Sequence, residues 1–228
     1  MHLPIGSFVN GGAIILGSLV GLALHSRFPD RIREIVFQGL GLCTTIIGLQ
    51  MALKVENILL MIFSILIGGI LGELMNLELA FEKIANKLKK TIKSKNELFT
   101  DGLITSSLLF CIGAMAIIGA FDEGIRGDAN VLYTKSILDA FASIALASTY
   151  GTGVIFSAIP VFLYQASLTI FAESFQHLFS PLMITQLTAT GGLLIIGISL
   201  SLLDIKRVRL GNMLPALPMS ILLTACFG

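Results

Sequence analysis

Residues 135–172 read KSILDAFASIALASTYGTGVIFSAIPVFLYQASLTIFA, an almost unbroken run of apolar and small residues. One acid, Asp139, lies near its start, and a Ser-Thr-Tyr-Gly-Thr-Gly break lies at its centre. A single membrane helix needs about 20 apolar residues at ~1.5 Å each. The 38 residues of this run are too many for one such helix, and the break is too polar for two ordinary ones. Interrupted, glycine-containing segments at membrane depth are tolerated where they face protein or a water-filled cavity, and transporters place binding sites at such breaks. The run predicts either two spans or a re-entrant hairpin.

The rest of the chain has the same character. Of its 228 residues, 55% are hydrophobic and 13% charged, against about 25% charged in soluble domains, and the mean hydropathy is +0.91. Apolar runs at 5–25, 35–53, 57–76, 101–121, 135–150, 153–172, 182–203 and 211–228 predict an all-α polytopic membrane protein. About eight transmembrane or re-entrant helices would form one integral membrane domain over residues 1–228. Period-2 alternation and aromatic girdles, the marks of a membrane β-barrel, are missing. The opening Met-His-Leu-Pro has no basic stretch before its apolar run, so that run reads as a span and not as a cleaved signal.

The charges sort by loop. Segment 25–34 holds Arg27, Arg31 and Arg33, segment 77–100 holds six lysines, and segment 204–210 holds Lys206, Arg207 and Arg209. The intervening segments 54–56, 122–134 and 173–181 are poor in base. Cytoplasmic loops carry the excess of Lys and Arg, so both termini are expected outside a bacterial cytoplasmic membrane. A hairpin at 135–172 would not alter this, since it enters and leaves on one side. Within 77–95, Leu77, Leu79, Phe81, Ile84, Ala85, Leu88 and Ile92 recur at helical spacing among lysines. That pattern predicts an amphipathic helix at the cytoplasmic interface, its lysines near anionic headgroups.

An internal repeat is suggested by EIVFQGLGLCTTIIGLQMALK (34–54) and ITQLTATGGLLIIGISLSLLDIK (184–206), which share a polar start, glycines, an Ile-Ile-Gly centre and a final Lys. Each is second in a group of three spans, so residues 1–76 and 153–228 are candidate inverted repeats of three helices each. Such repeats mark many secondary transporters, with the substrate site near the membrane midplane.

Several polar residues stand in apolar surroundings. Asp139 is an acid set inside an apolar run, one turn from Lys135. Intramembrane acids are functional candidates, but a position near the outer interface would make Asp139 an ordinary acid at a helix start. Ser148, Thr149, Gly151, Thr152 and Gly153 offer hydroxyls and permissive backbone of the kind found at discontinuous helices; the plainer alternative is a turn. Thr188, Thr190, Gly191 and Gly192 form a second polar patch at the start of a span, and Asn10 and Asn212 stand beside glycines in the first and last spans. The glycine pairs Gly17/Gly21 and Gly68/Gly72 have the spacing of close helix contacts, within the chain or across a homodimer.

Other chemistries lack their motifs. There is no nucleotide-binding G-x-x-x-x-G-K-[ST], no H-E-x-x-H and no G-x-S-x-G. Cys43, Cys111 and Cys226 are far apart and read as small buried residues, and His2, His25 and His177 make no metal pattern. Neither an enzyme, a metal, a cofactor nor a nucleic-acid partner is expected.

The stretches TSSLLFCIGAMAIIGAFDEGIRGD (105–128), YTKSILDAFASIALAS (133–148), GVIFSAIPVFLYQ (153–165), TATGGLLIIGISL (188–200), IKRVRLGNMLPALP (205–218) and VNGGAIILGSLVG (9–21) resemble the bacterial inner-membrane proteins filed as domain of unknown function 554. The resemblance covers nearly the whole chain and departs at Gly11 and Gly12, where bulkier apolar residues are usual. It implies a bacterial cytoplasmic-membrane location and no particular chemistry. Two functions fit these residues. One is a secondary transporter or channel-like carrier of a small solute or ion. The other is a non-transporting scaffold or sensor whose Lys-rich helix binds lipid or a partner.

Overall fold

A computed structural model describes residues 3–25, 30–112, 114–172 and 179–228. His2, Arg27 and His177 lie outside them, as does most of segment 173–181. The regular structure of the described residues is all helix, with no strand. In chain order the helices are α1 (Ile5–His25), α2 (Asp30–Ala52), α3 (Ile58–Met75), α4 (Leu77–Thr91), α5 (Phe99–Cys111), α6 (Ala114–Arg126), α7 (Asn130–Tyr150), α8 (Gly153–Phe156), α9 (Ala158–Ile170), α10 (Pro181–Leu202), α11 (Leu210–Met213) and α12 (Ala216–Phe227).

Among the described residues, six stretches are long and apolar enough to cross a membrane: 5–24, 58–75, 130–150, 153–170, 181–202 and 210–227. The bent pair α5 and α6 makes a seventh if it is one broken span. The run at 135–172 is therefore two helices of spanning length. The first of them, α7, begins at Asn130, so the expected loop 122–134 shrinks to 127–129. The single helix expected over 101–121 is instead two, α5 ending at Cys111 and α6 beginning at Ala114. The span at 211–228 is likewise divided, at Leu214 and Pro215, because proline cannot donate into a helix ladder.

Helix ends are written locally. Asn57 caps α3, its Oδ1 accepting from Leu59 N at 3.1 Å and Leu60 N at 3.3 Å. Asn76 ends α3 in the left-handed region at φ 52°, which asparagine tolerates. Ser180 Oγ accepts from Met183 N at 3.2 Å, with Pro181 opening α10. On α3 the protein-facing residues are Leu60, Met61, Ser64, Gly68 and Gly72, while Leu59, Phe63, Leu66 and Ile70 are exposed. Small residues inward and large apolar residues outward is the pattern lipid favours, since apolar side chains gain nothing by leaving acyl chains.

The chain divides into two compact units. The first comprises residues 1–36, 85–111 and 115–178, and the second residues 37–84, 112–114 and 179–228. Each unit draws helices from both candidate repeats. In the first, α1 lies parallel to α7: Gly6 faces Leu132, Gly17 the Ala140 carbonyl, and Gly21 the Ile144 carbonyl. A Cβ at Gly17 or Gly21 would overlap those carbonyls. In the second, Gly68 and Gly72 of α3 meet Ala216 and Asn212, while Gly48 of α2 meets Gly192 and Ile196 of α10. Both glycine pairs are thus spent on packing within the chain. Two of the three cysteines depart from expectation, Cys43 and Cys226 being exposed on helix surfaces.

Candidate functional site

In the first unit four polar side chains from three helices converge. Asn10 comes from α1, Lys135 and Asp139 from α7, and Gln165 from α9. Asn10 and Gln165 are wholly buried, and Lys135 and Asp139 are 7% and 6% exposed. Asp139 Oδ2 accepts from Lys135 Nζ at 2.5 Å and from Asn10 Nδ2 at 3.0 Å. Asn10 Nδ2 also donates to Gln165 Oε1 at 3.0 Å. The Lys135 ammonium lies 5.9 Å from the centre of the Phe110 ring, a cation–π distance.

The i, i+4 spacing puts Lys135 and Asp139 on one face of α7, and the glycine contacts bring α1 close enough for the short Asn10 side chain to reach them. Because α7 starts at Asn130, Asp139 sits about 14 Å along a helix of about 31 Å. It is therefore near the helix midpoint, as the first of the two sequence readings has it, and not at the helix start, as the second would. Asn10 Oδ1 and Gln165 Nε2 are buried without a hydrogen-bond partner, as are the hydroxyls of Ser7, Ser18 and Ser143 in the same unit.

A second acid was missed by sequence. Glu123 of α6 is 2% exposed. Its Oε1 accepts from Gly6 N at 2.6 Å and its Oε2 from Thr169 Oγ1 at 3.2 Å. The Gly6 N–H is one of the unpaired donors at the start of α1, where the helix dipole favours an anion. With Asp122 and Asp128 close by in sequence, Glu123 read as part of a loop. The apolar period of AMAIIGAF running into DEG was the available signal that α6 continues through it.

The break at 148–153 has another character. The Ser148 and Thr149 hydroxyls bond back to the Ala145 carbonyl at 2.7 and 2.8 Å. Gly151 has φ 78°, a left-handed conformation that glycine adopts freely. Asn96 Nδ2 donates to the Tyr150 carbonyl at 2.9 Å while its Oδ1 accepts from Leu98 N at 2.8 Å. Thr152 and Ser94 share a hydroxyl hydrogen bond at 3.2 Å, and Gly153 lies against the Phe99 backbone. This is a turn pinned to the segment after α4, at the end of α7 away from Asp139.

The remaining candidates lie in the second unit. Thr188, Thr190, Gly191 and Gly192 occupy the middle of continuous α10, not its start. Thr188 Oγ1 bonds back to the Ile184 carbonyl at 2.7 Å, Thr190 Oγ1 is buried without a partner, and Gly192 admits Ala52 and Gly48. Asn212 anchors α4. Its Oδ1 accepts from Glu78 N at 2.7 Å and its Nδ2 donates to Glu73 Oε2 at 2.7 Å. Gly211 N donates to Glu78 Oε2 at 2.9 Å, and Arg209 pairs with Glu73 at 2.6 Å. Burial pushes the Glu78 carboxyl above its ordinary value of 4.5, against the opposing donation from Gly211. No group of three or more His, Cys, Asp and Glu side chains is arranged to hold a metal among the described residues.

Comparison with known proteins fits these observations. The chain is 35% identical over 230 residues to the "Uncharacterized membrane protein YdfK" of Bacillus subtilis (strain 168), covering 98% of each chain. It is 33% identical over 230 residues to the "Uncharacterized protein YqgA" of Escherichia coli (strain K12), covering 99% of this chain and 98% of the relative. No solved structure matches. The profile of the family described as "Protein of unknown function (DUF554)" matches residues 5–225. The chain, an all-helical membrane protein, therefore belongs to that family.

Proposed function

We propose that this protein is a secondary transporter or channel-like carrier for a small solute or ion in the bacterial cytoplasmic membrane, with both termini outside. The observation that carries the reading is the Lys135–Asp139 ion pair, buried at mid-helix and tied to two wholly buried amides. Charged groups at such depth are costly, and where they occur they mark ion and substrate paths. Pure packing would be served by small residues, as at Gly17 and Gly21. In this reading residues 1–76 and 153–228 descend from an inverted repeat, and movement of one bundle against another exposes the Asn10–Asp139 region to alternate sides. No ATP-binding loop is present, which favours an ion gradient or a passive path.

The test is reconstitution into liposomes carrying pH- and sodium-sensitive dyes, under imposed proton, sodium and potassium gradients. Ion flux above that of protein-free liposomes is expected, lowered at least about ten-fold by Asp139→Asn, roughly the loss of one charge-assisted hydrogen bond. Flux that Asp139→Asn leaves unchanged removes Asp139 from the mechanism. Thr190→Val tests the α10 position in the same way.

A second reading rests on α4, whose Leu79, Phe81 and Ile84 are exposed beside its lysines. There the protein is a scaffold or sensor bound to anionic lipid. Retention of α4 on anionic vesicles, without flux of any probe, would favour it.

A further inference from the structure

Charge at the Asn10–Lys135–Asp139–Gln165 cluster narrows the class of solute it suits, and the argument rests on the transport reading. The cluster carries one fixed cation and one fixed anion, paired with each other. Glu123, the other buried carboxylate among the described residues of this unit, accepts from Gly6 N at the start of α1 and from Thr169 Oγ1, so its charge is met at that helix end. A bare ion of either sign arriving at the cluster would leave a net charge near the middle of spanning helices, which is costly. An uncharged solute inserted between Lys135 and Asp139 would separate two charges and re-pair neither. A solute carrying both signs restores a partner to each.

The unspent hydrogen-bonding capacity has the same two-sided form. Both recorded bonds to Asp139 fall on Oδ2. Asn10 spends its amide hydrogens on Asp139 and Gln165, leaving Oδ1 as a buried acceptor with no partner. Gln165 accepts through Oε1, leaving Nε2 as a buried donor with no partner. The Lys135 ammonium has three hydrogens, of which the structure records one bonded, to Asp139. Beside the fixed anion there is thus an open carbonyl oxygen, and the cluster's open donors are an amide and an ammonium. Buried polar groups are normally satisfied, so these open positions describe what a ligand would bring.

We propose that the cluster binds a small zwitterion of the α-amino acid type. The solute's carboxylate would be held by Lys135 Nζ and Gln165 Nε2, and its ammonium by Asp139 and Asn10 Oδ1. Its two charges take the place of the internal ion pair, and Lys135 is long enough to swing aside for them.

The experiment titrates the full chain in lipid nanodiscs with each of the twenty common amino acids, following the thermal transition. Any amino acid that binds is then compared with its amide, which keeps only the cation, and its N-acetyl derivative, which keeps only the anion. At least one zwitterion should raise the transition saturably, with both derivatives at least ten-fold weaker. Lys135→Met and Asp139→Asn should each abolish the effect. Since a single variant leaves a buried charge unpaired and could fail to fold, Lys135→Met/Asp139→Asn supplies the second arm: folded, and unresponsive to the zwitterion. Equal binding by either derivative, an unchanged response in the double variant, or no response to any amino acid overturns the proposal; the last result assigns the open groups to water. Failure here and failure of transport are distinguishable. Asp139-dependent ion flux without zwitterion binding leaves the carrier and removes the zwitterion, whereas binding without uptake of the radiolabelled amino acid does the reverse.

Discussion

Asn10 shows how much one short amide can organise. It reaches a carboxylate on α7 and a second amide on α9 with the two hydrogens of one nitrogen, and thereby fixes three helices around a polar point. Asn212 does comparable work in the second unit, where it holds both the end of α3 and the first turn of α4. Beside it, Glu78 is the residue whose titration should be felt outside the spans. Burial raises its folded value above the ordinary 4.5, so the folded protein holds this proton to higher pH than the unfolded chain does. The docking stability it confers is full below 4.5 and is lost as pH rises through the raised value. A spin label at Lys83→Cys should accordingly become more mobile between acidic and neutral pH. Glu78→Gln, which keeps an acceptor for Gly211 N, should flatten that dependence. Equal slopes in the two proteins would separate α4 docking from this carboxyl.

The glycines of α1 illustrate what sets the distance between helices. Gly17 and Gly21 admit backbone carbonyls of α7, whereas a Cβ at Gly12 would meet nothing within 4 Å. Gly12→Ala should therefore be neutral or stabilise by about 0.5–1 kcal/mol, through helix propensity alone. Gly17→Ala should lower the thermal transition in detergent, because α1 must withdraw from α7 and pull Asn10 from Asp139. If the two variants melt alike, close packing of α1 on α7 is not what holds this pair together. The GxxxG spacing was legible in the sequence, as were most helices and the amphipathic α4. The partners were not, since small-residue spacing says that a helix will be approached and not by which one. Helix starts were legible only where a cap announced them. Ala129 offers no side-chain cap to Asn130 and Lys135 follows soon after, so nothing local marks the true start of α7 or the depth of Asp139. Glu123 was hidden for the same reason, an acid among acids that the fold turns inward.

Across the whole chain, the distribution of Lys and Arg leads to one testable arrangement. With the native cysteines replaced by serine, single cysteines at Asp128 and at Lys93 should react from opposite sides with a membrane-impermeant maleimide in intact cells. Asp128→Cys should label without permeabilisation and Lys93→Cys only after it, as the positive-inside rule requires. Labelling of both from outside would reverse or break the orientation. The helices of each compact unit come from both ends of the sequence, which no local pattern could reveal. The sequence suggests triplets at the two ends of the chain, 1–76 and 153–228, whereas each compact unit takes helices from both.

The parallel pairing of α1 with α7 also has a consequence in time. Asn10 and Asp139 are 129 positions apart, and chains are made at about 5–20 residues per second. For roughly 6–25 s at that rate, α1 waits in the membrane with Asn10, Ser7 and its glycine face turned to lipid or to whatever shields them. The polar face of α1 is thus satisfied only once α7 has followed it into the membrane. Until then α1 has none of the partners on α7 that the folded protein gives Asn10, Gly17 and Gly21.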